Sequence, residues 1–151
     1  MRRNVAALFC LVLILALGGC DEPSPAGLPM AKIKIGTQIF QIEVARTDAQ
    51  QEKGLMERDS MPDDHGMIFI FPAEHLQSFW MKNTRFPLDI VFLDGSGKVV
   101  SIRSMKAYDI TPTSSDAPAQ YAIEIQKGAA SACGVKIGDA VTIPPEARAT
   151  R

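Results

Sequence analysis

The sequence has 151 residues, of which 46% are hydrophobic and 22% charged, with a formal net charge of −1 at pH 7. This is an ordinary globular composition, with room for one domain around its own core and not for a second of comparable size. There is no basic stripe, which excludes nucleic acid as a partner.

The chain opens with "MRRNVAALFCLVLILALGGC": a basic start at Arg2 and Arg3, an apolar stretch from Val5 to Leu17, and small residues before Cys20. Residues 1–19 read as a secretory signal, too short for a stable spanning helix. "LGGC" resembles a lipobox, so Cys20 is expected to become the acylated first residue of the mature protein. The alternative is an ordinary cleavage site that happens to precede a cysteine. Acylation would anchor the protein stably, because each buried methylene contributes about 0.8 kcal/mol. Residues 20–30, including the Pro-rich "DEPSPAGLP", then form a tether. Asp21 directly after the cysteine resembles an inner-membrane retention signal. The expected location is the periplasmic face of the bacterial cell envelope, with the membrane as a partner through the N-terminal lipid. Loss of Arg2 and Arg3 would move the formal charge to about −3. With Cys10 removed and Cys20 acylated, Cys133 stands alone and no intramolecular disulfide can form.

A single β-rich domain is expected over residues 31–145. "AKIKIGTQIFQIEVA" alternates on both sides of Gly36-Thr37, as in a β-hairpin with one buried face. Thr47 and Gln50 have the spacing of a capping box, which predicts a short helix from Asp48 to about Glu57, weakened at Gly54. "MIFIF", Met67 to Phe71, is apolar at every position, as in a strand buried on both faces and ended by Pro72. Gln77 to Lys82 and Leu88 to Leu93 read as two more strands, and "DGSG" turns the chain into "KVVSIRSM". Strands this close in sequence imply antiparallel pairing. Tyr108 to Pro118 reads as a mobile loop over one end of the sheet, and "QYAIEIQ" alternates again. A small-residue helical turn at Ala129 to Cys133 and a last strand after Gly138-Asp139 complete the domain, followed by a loose tail at 146–151. The pattern predicts a mainly β fold, a β-rich α+β domain built as a small antiparallel or mixed barrel or sandwich with one or two short helices.

"EKGLMERDSMPDDHGMIFIF", "SFWMKNTRFPLDIVFLDGSGKVVSI" and "YAIEIQKGAASACGVKIGDAV" together resemble the bacterial and archaeal family known as domain of unknown function 192. The resemblance runs from Ile33 to Ile143 and is most specific in the "FWMKNT…PLDI" block. It implies a compact, mostly β, often exported domain, and no established reaction. The motif positions include Gly54, Arg58, Gly66, Trp80, Asn83, Thr84, Pro87 and Asp89, with Arg85 a departure where relatives carry an aliphatic residue.

The block "FWMKNTRFPLDIVFLD" carries the candidate site. Asp89 stands in an apolar strand, where an unpaired carboxylate would cost several kcal/mol. A structural reading has Asp89 pin the Asn83-Thr84 turn or pair with Arg58. A functional reading places Trp80, Asn83, Arg58, Asp89 and Lys82 around a pocket in which the indole stacks on a small polar ligand or a glycan. Asp89 and Glu124 could form an acid/base pair if the fold joins them, although Glu124 in its alternating strand could simply face solvent. Met56, Met61, Met67, Asp63, Asp64, His65 and His75 gather potential ligands, but their spacing matches no closed metal site, so no metal and no cofactor is expected. Cys133 has no histidine nearby in sequence and reads as a small buried hydrophobe. Two functions are expected from this pattern: a lipid-anchored envelope domain that binds a small polar ligand, a glycan or a protein partner, or an envelope hydrolase or lyase acting on a polysaccharide through a carboxylate.

Overall fold

The computed structural model describes residues 24–149. The signal segment, the acylation site Cys20 and the start of the tether lie outside the described residues. The domain is mainly β. Strands β1 (Met30–Ile35), β2 (Gln38–Ala45), β3 (His65–His75), β5 (Leu88–Leu93), β6 (Val99–Met105) and β8 (Ala119–Gln126) form a six-stranded sheet in the order β1-β2-β3-β8-β5-β6. Two short strands, β4 (Ser78–Phe79) and β7 (Thr113–Ser114), pair separately. The main sheet stays open rather than closing into a barrel.

Every neighbouring pair in the main sheet is antiparallel except β2 and β3, which run parallel. The sheet is thus mixed, one of the two forms expected, and its single parallel pair has a simple reason. The chain between β2 and β3 crosses over through helix α1 (Asp48–Lys53), and a crossover of that length returns the strand in the same direction. The capping box at Thr47 and Gln50 is present, but α1 stops at Lys53, earlier than expected, because Gly54 takes the C-cap position at φ 45°. Pro72 does not end β3, which continues to His75 through an irregularity in its pairing with β8.

Both faces of the sheet are covered, which is why β3, β5 and β8 are largely apolar at their centres, with Asp89 and Glu124 as buried exceptions. On one face Phe40, Ile42, Ile68, Val91 and Ile123 pack beneath helix α2 (Ala129–Ala132) and the C-terminal segment. On the other, Met67, Phe69, Leu88, Ile90 and Phe92 pack against Leu55, Met61, Met81 and Phe86. The expected core residues Ile68, Ile70, Met81, Ile90 and Phe92 are buried, and Phe79 is half-buried against the second cluster.

Four local expectations need correction. Only Ser78 and Phe79 of the Gln77–Lys82 strand are extended in a ladder, and they pair with β7 rather than β5. That same ladder ties down the segment expected to be a mobile loop, with further backbone bonds from Met81 N to Asp109 O (2.7 Å) and Tyr108 N to Thr84 O (3.0 Å). The C-terminal segment expected to be loose is docked through Ala149: a 3-10 turn at Pro145–Ala147 buries Ala147, Arg46 donates to the Glu146 and Arg148 carbonyls, and Ala149 N donates to the Tyr121 hydroxyl (3.1 Å). The last strand is reduced to one bridge between Lys98 and Ala140.

Candidate functional site

The candidate residues separate onto the two faces of the sheet. Asp89 lies on the first face, 3% exposed. It accepts from Ser104 Oγ on the neighbouring strand (2.6 Å), from Gly128 N (2.8 Å) and from Ala130 N (3.3 Å). Gly128 is the N-cap of α2 and has no side chain to cap it, so the carboxylate from β5 takes that role. Asp89 thus has a structural role, but not the one expected of it. It touches neither the Asn83-Thr84 turn nor Arg58.

Arg58 is also structural. Its guanidinium forms a two-pronged pair with Glu43, Nη1 to Oε1 and Nη2 to Oε2 (3.0 Å), and Ser24 Oγ donates to the same carboxylate. The partners are 16% and 3% exposed, so this pair is largely desolvated. Glu43, Met67, Glu124 and Ile90 stand side by side in register across β2, β3, β8 and β5, which puts two acids on the second face. Asp89 registers with Ile125, one residue along from Glu124, so the two carboxylates point to opposite faces and form no acid/base pair.

Trp80 follows β4 and is 48% exposed. It lines a cavity of about 240 Å³ whose wall includes Phe69, Phe71 and Phe79, and whose lining also includes Thr84 and Glu124. Phe79 is the hub of the wall, in edge-to-face contact with Phe69 (4.9 Å between centroids) and Phe71 (6.3 Å). Gln51, Glu52 and Lys53 of α1 form the opposite side. Lys82, expected to face a ligand, instead holds its Nζ 5.2 Å from the Trp80 ring centroid. Asn83 adopts φ 55° in the turn after Met81, and its carbonyl accepts from Glu57 N (2.8 Å), tying the turn to the exit of α1. Its side chain belongs to a separate cleft with Glu57, Arg85 and Tyr108. Of the five expected residues, only Trp80 lines this cavity.

Glu124 is the residue that sequence reasoning undervalued. It is 5% exposed, and no hydrogen bond supports its carboxyl among the described residues. No fully enclosed side-chain oxygen or nitrogen in the described residues lacks a partner, so the free oxygens of Glu124 open into the cavity that it lines. Burial pushes its pKa up to about 8, against a smaller opposing pull from the Arg58 charge. The signal was an acid amid apolar neighbours in "YAIEIQ". It was masked because alternation suggests a solvent face, whereas β8 sits in the middle of a sheet covered on both sides.

A pH dependence follows from Glu124. Unfolded, the carboxyl loses its proton near 4.5, and folded it keeps the proton to about 8, so the native state binds more protons between those values. The contribution of Glu124 to stability is therefore fullest below the unfolded pKa and declines as pH rises through the folded one. Urea melts of the wild type and Glu124→Gln at a series of pH values should differ in slope across that window, the variant being flatter. Equal slopes would place the carboxyl in water.

The potential ligands gathered in sequence between Met56 and His75 are dispersed in the fold. Met61 and Met67 are core residues, and His65 Nδ1 is 2.8 Å from the exposed Asp64 carboxylate. Among the described residues no group of three or more His, Cys, Asp or Glu side chains is placed to hold a metal ion. Cys133 is buried, its Sγ 3.4 Å from the Ala130 carbonyl.

A family profile, DUF192, described as "Uncharacterized ACR", matches residues 31–143. The chain belongs to this family. The match spans nearly all of the sheet, the cavity and the capping carboxylate Asp89 of this DUF192 domain. No curated protein matches the sequence. Among solved structures, the domain is similar to a protein of unknown function from Novosphingobium aromaticivorans DSM 12444, at 38% identity over 79% of this chain and 89% of that one, with a TM-score of 0.75. It is also similar to a protein from Sinorhizobium meliloti 1021 described as a candidate transcription regulator, at 30% identity over 74% of this chain and 89% of that one, with a TM-score of 0.69.

Proposed function

We propose that this DUF192 chain is a ligand-binding or accessory domain of the cell envelope, held to a membrane by acylated Cys20, and that a small polar ligand or sugar occupies the Trp80 cavity. The observation that carries the reading is the pairing of a half-exposed indole with a buried, unpartnered carboxyl in one concavity. A protein that used the block only as architecture would gain little from leaving its one tryptophan half in water, since an aromatic ring contributes to stability mainly through burial. An apolar concavity with a few convergent polar groups is the usual form of a small-molecule site.

Trp80 is the only tryptophan in the sequence, so its fluorescence reports on the cavity without interference. Titration with sugars, cell-wall fragments and small metabolites should perturb that emission, and a ligand at about 100 times its dissociation constant should stabilise the domain by about 2.7 kcal/mol. Trp80→Ala should abolish the thermal shift while leaving the urea midpoint nearly unchanged. If the variant unfolds, or responds to the same ligands as the wild type, the site lies elsewhere. Cys20→Ser should release the protein from membranes on fractionation, and retention at wild-type levels would overturn the anchoring.

The rival reading, an envelope hydrolase or lyase, has to use Glu124 in place of Asp89, which is committed to α2. Its support is a carboxyl that holds its proton up to about pH 8, as a general acid must near neutrality. Turnover of a polysaccharide that is lost in Glu124→Gln while binding survives would favour it.

A further inference from the structure

The ligand class can be narrowed, on the reading that the Trp80 cavity is a binding site. From the rings that wall this cavity and the acids that face it, we infer that it takes a small organic ammonium ion. Phe71, Phe79 and Trp80 supply aromatic surface, whose electron-rich faces attract an organic cation. Glu124 supplies a carboxyl with no protein donor at hand, and Glu52 adds a second acid on the α1 side.

Two of the three cations near the cavity are paired with acids, and the third, Lys82, is not among the residues that line it. Lys53 of α1 pairs with Glu57, Arg58 is held by both oxygens of Glu43, and Lys82 lies at the Trp80 ring. The strands packed beside Glu124 bring no further charge to it: its register neighbours are Met67 on β3 and Ile90 on β5, and β4 offers only Ser78 and Phe79. Arg58 with Glu43 and Lys53 with Glu57 are each neutral as pairs, so Glu52 and an ionised Glu124 outweigh the single charge of Lys82 and leave an acidic balance. An anionic ligand would meet two acids, with Lys82 at the Trp80 ring as the one cation not paired with an acid. A cation would find ring surface along its body and a carboxylate at its charge.

Seating such an ion exchanges one proton for one cation. Glu124 gives its proton to solvent, and the ammonium group takes up the position beside the carboxylate. Since burial holds that proton to about pH 8, the exchange becomes easier as pH rises. The volume of about 240 Å³ is below the range of roughly 300–1,000 Å³ typical of drug-sized sites, which suits a compact head group.

The experiment titrates the wild-type domain with choline and with n-butylammonium, each against a neutral isostere, dimethylbutanol and n-butanol, following Trp80 fluorescence. Both cations should bind at least about tenfold more tightly than their isosteres, the advantage of roughly 1.4 kcal/mol expected of a charge over aromatic rings beside an acid. Between about pH 6 and about pH 9 the cation affinities should rise at least about fivefold, and Glu124→Gln should remove that rise. Equal affinity for the isosteres, or tighter binding of acetamide or acetate that weakens as pH rises, would overturn the ammonium assignment while leaving the cavity a binding site. If neither the cations nor the neutral and anionic probes perturb Trp80, the ammonium assignment and the cavity reading fall together. The pH series on the unaltered protein keeps the test decisive even where Glu124→Gln folds poorly.

Discussion

Arg58→Ala is expected to cost about 3–5 kcal/mol of stability, because it leaves the buried Glu43 carboxylate without its counter-charge. Glu43 is 2% exposed, and its other contact, the Ser24 hydroxyl, can donate only one hydrogen bond. The effect should be read in urea melts and should be non-additive. Arg58→Met combined with Glu43→Leu removes both charges, and should recover much of the loss, since an apolar pair of similar volume avoids the desolvation of two ions. A loss below about 1 kcal/mol for Arg58→Ala would mean that Glu43 is solvated and that the pair behaves as a surface salt bridge. The same measurement bears on function, because a residue that acts on ligand alone would leave the melt unchanged.

Phe92→Ala should be comparably damaging, at about 3–5 kcal/mol, through the cavity left by a fully buried ring. Phe92 sits at the centre of the second face and meets Phe79 edge to face at 5.7 Å between centroids. Phe79 also carries the wall of the Trp80 cavity. A smaller change, Phe92→Leu, should therefore loosen Phe79 and weaken ligand-induced quenching of Trp80 at a lower cost in stability. A Phe92→Ala melt within about 1 kcal/mol of wild type would show that the face repacks around the void, and would detach the cavity from the core beneath it.

The two readings of "FWMKNTRFPLDIVFLD" divide between its two ends. Asp89 and Trp80 were expected to share one concavity because they are close in sequence and chemically suited to a ligand. In the fold, Asp89 turns under α2 and Trp80 turns toward α1, on opposite faces of the sheet. Lys82 and Asn83 stay near Trp80 but serve the ring and the turn. The concavity itself is completed by β3, α1 and β8, none of which the block contains.

What the sequence determined by itself is local. Alternation located the hairpin of β1 and β2, the apolar runs located β3 and β5, and Thr47 with Gln50 located the start of α1. These features depend on periods of two or 3.6 residues and on capping chemistry within one turn, all of which lie within a short window of chain. The tertiary structure alone decided the parallel pairing of β2 with β3, the docking of the C-terminal segment, and which acid does what. Glu43, Asp89 and Glu124 each look like one acid in an apolar strand. Asp89 acquires backbone donors from α2, Glu43 acquires Arg58, and Glu124 acquires neither and is left facing the cavity. The state of a buried carboxyl is set by the donors and charges brought to it from distant parts of the chain, and one strand's sequence does not contain them.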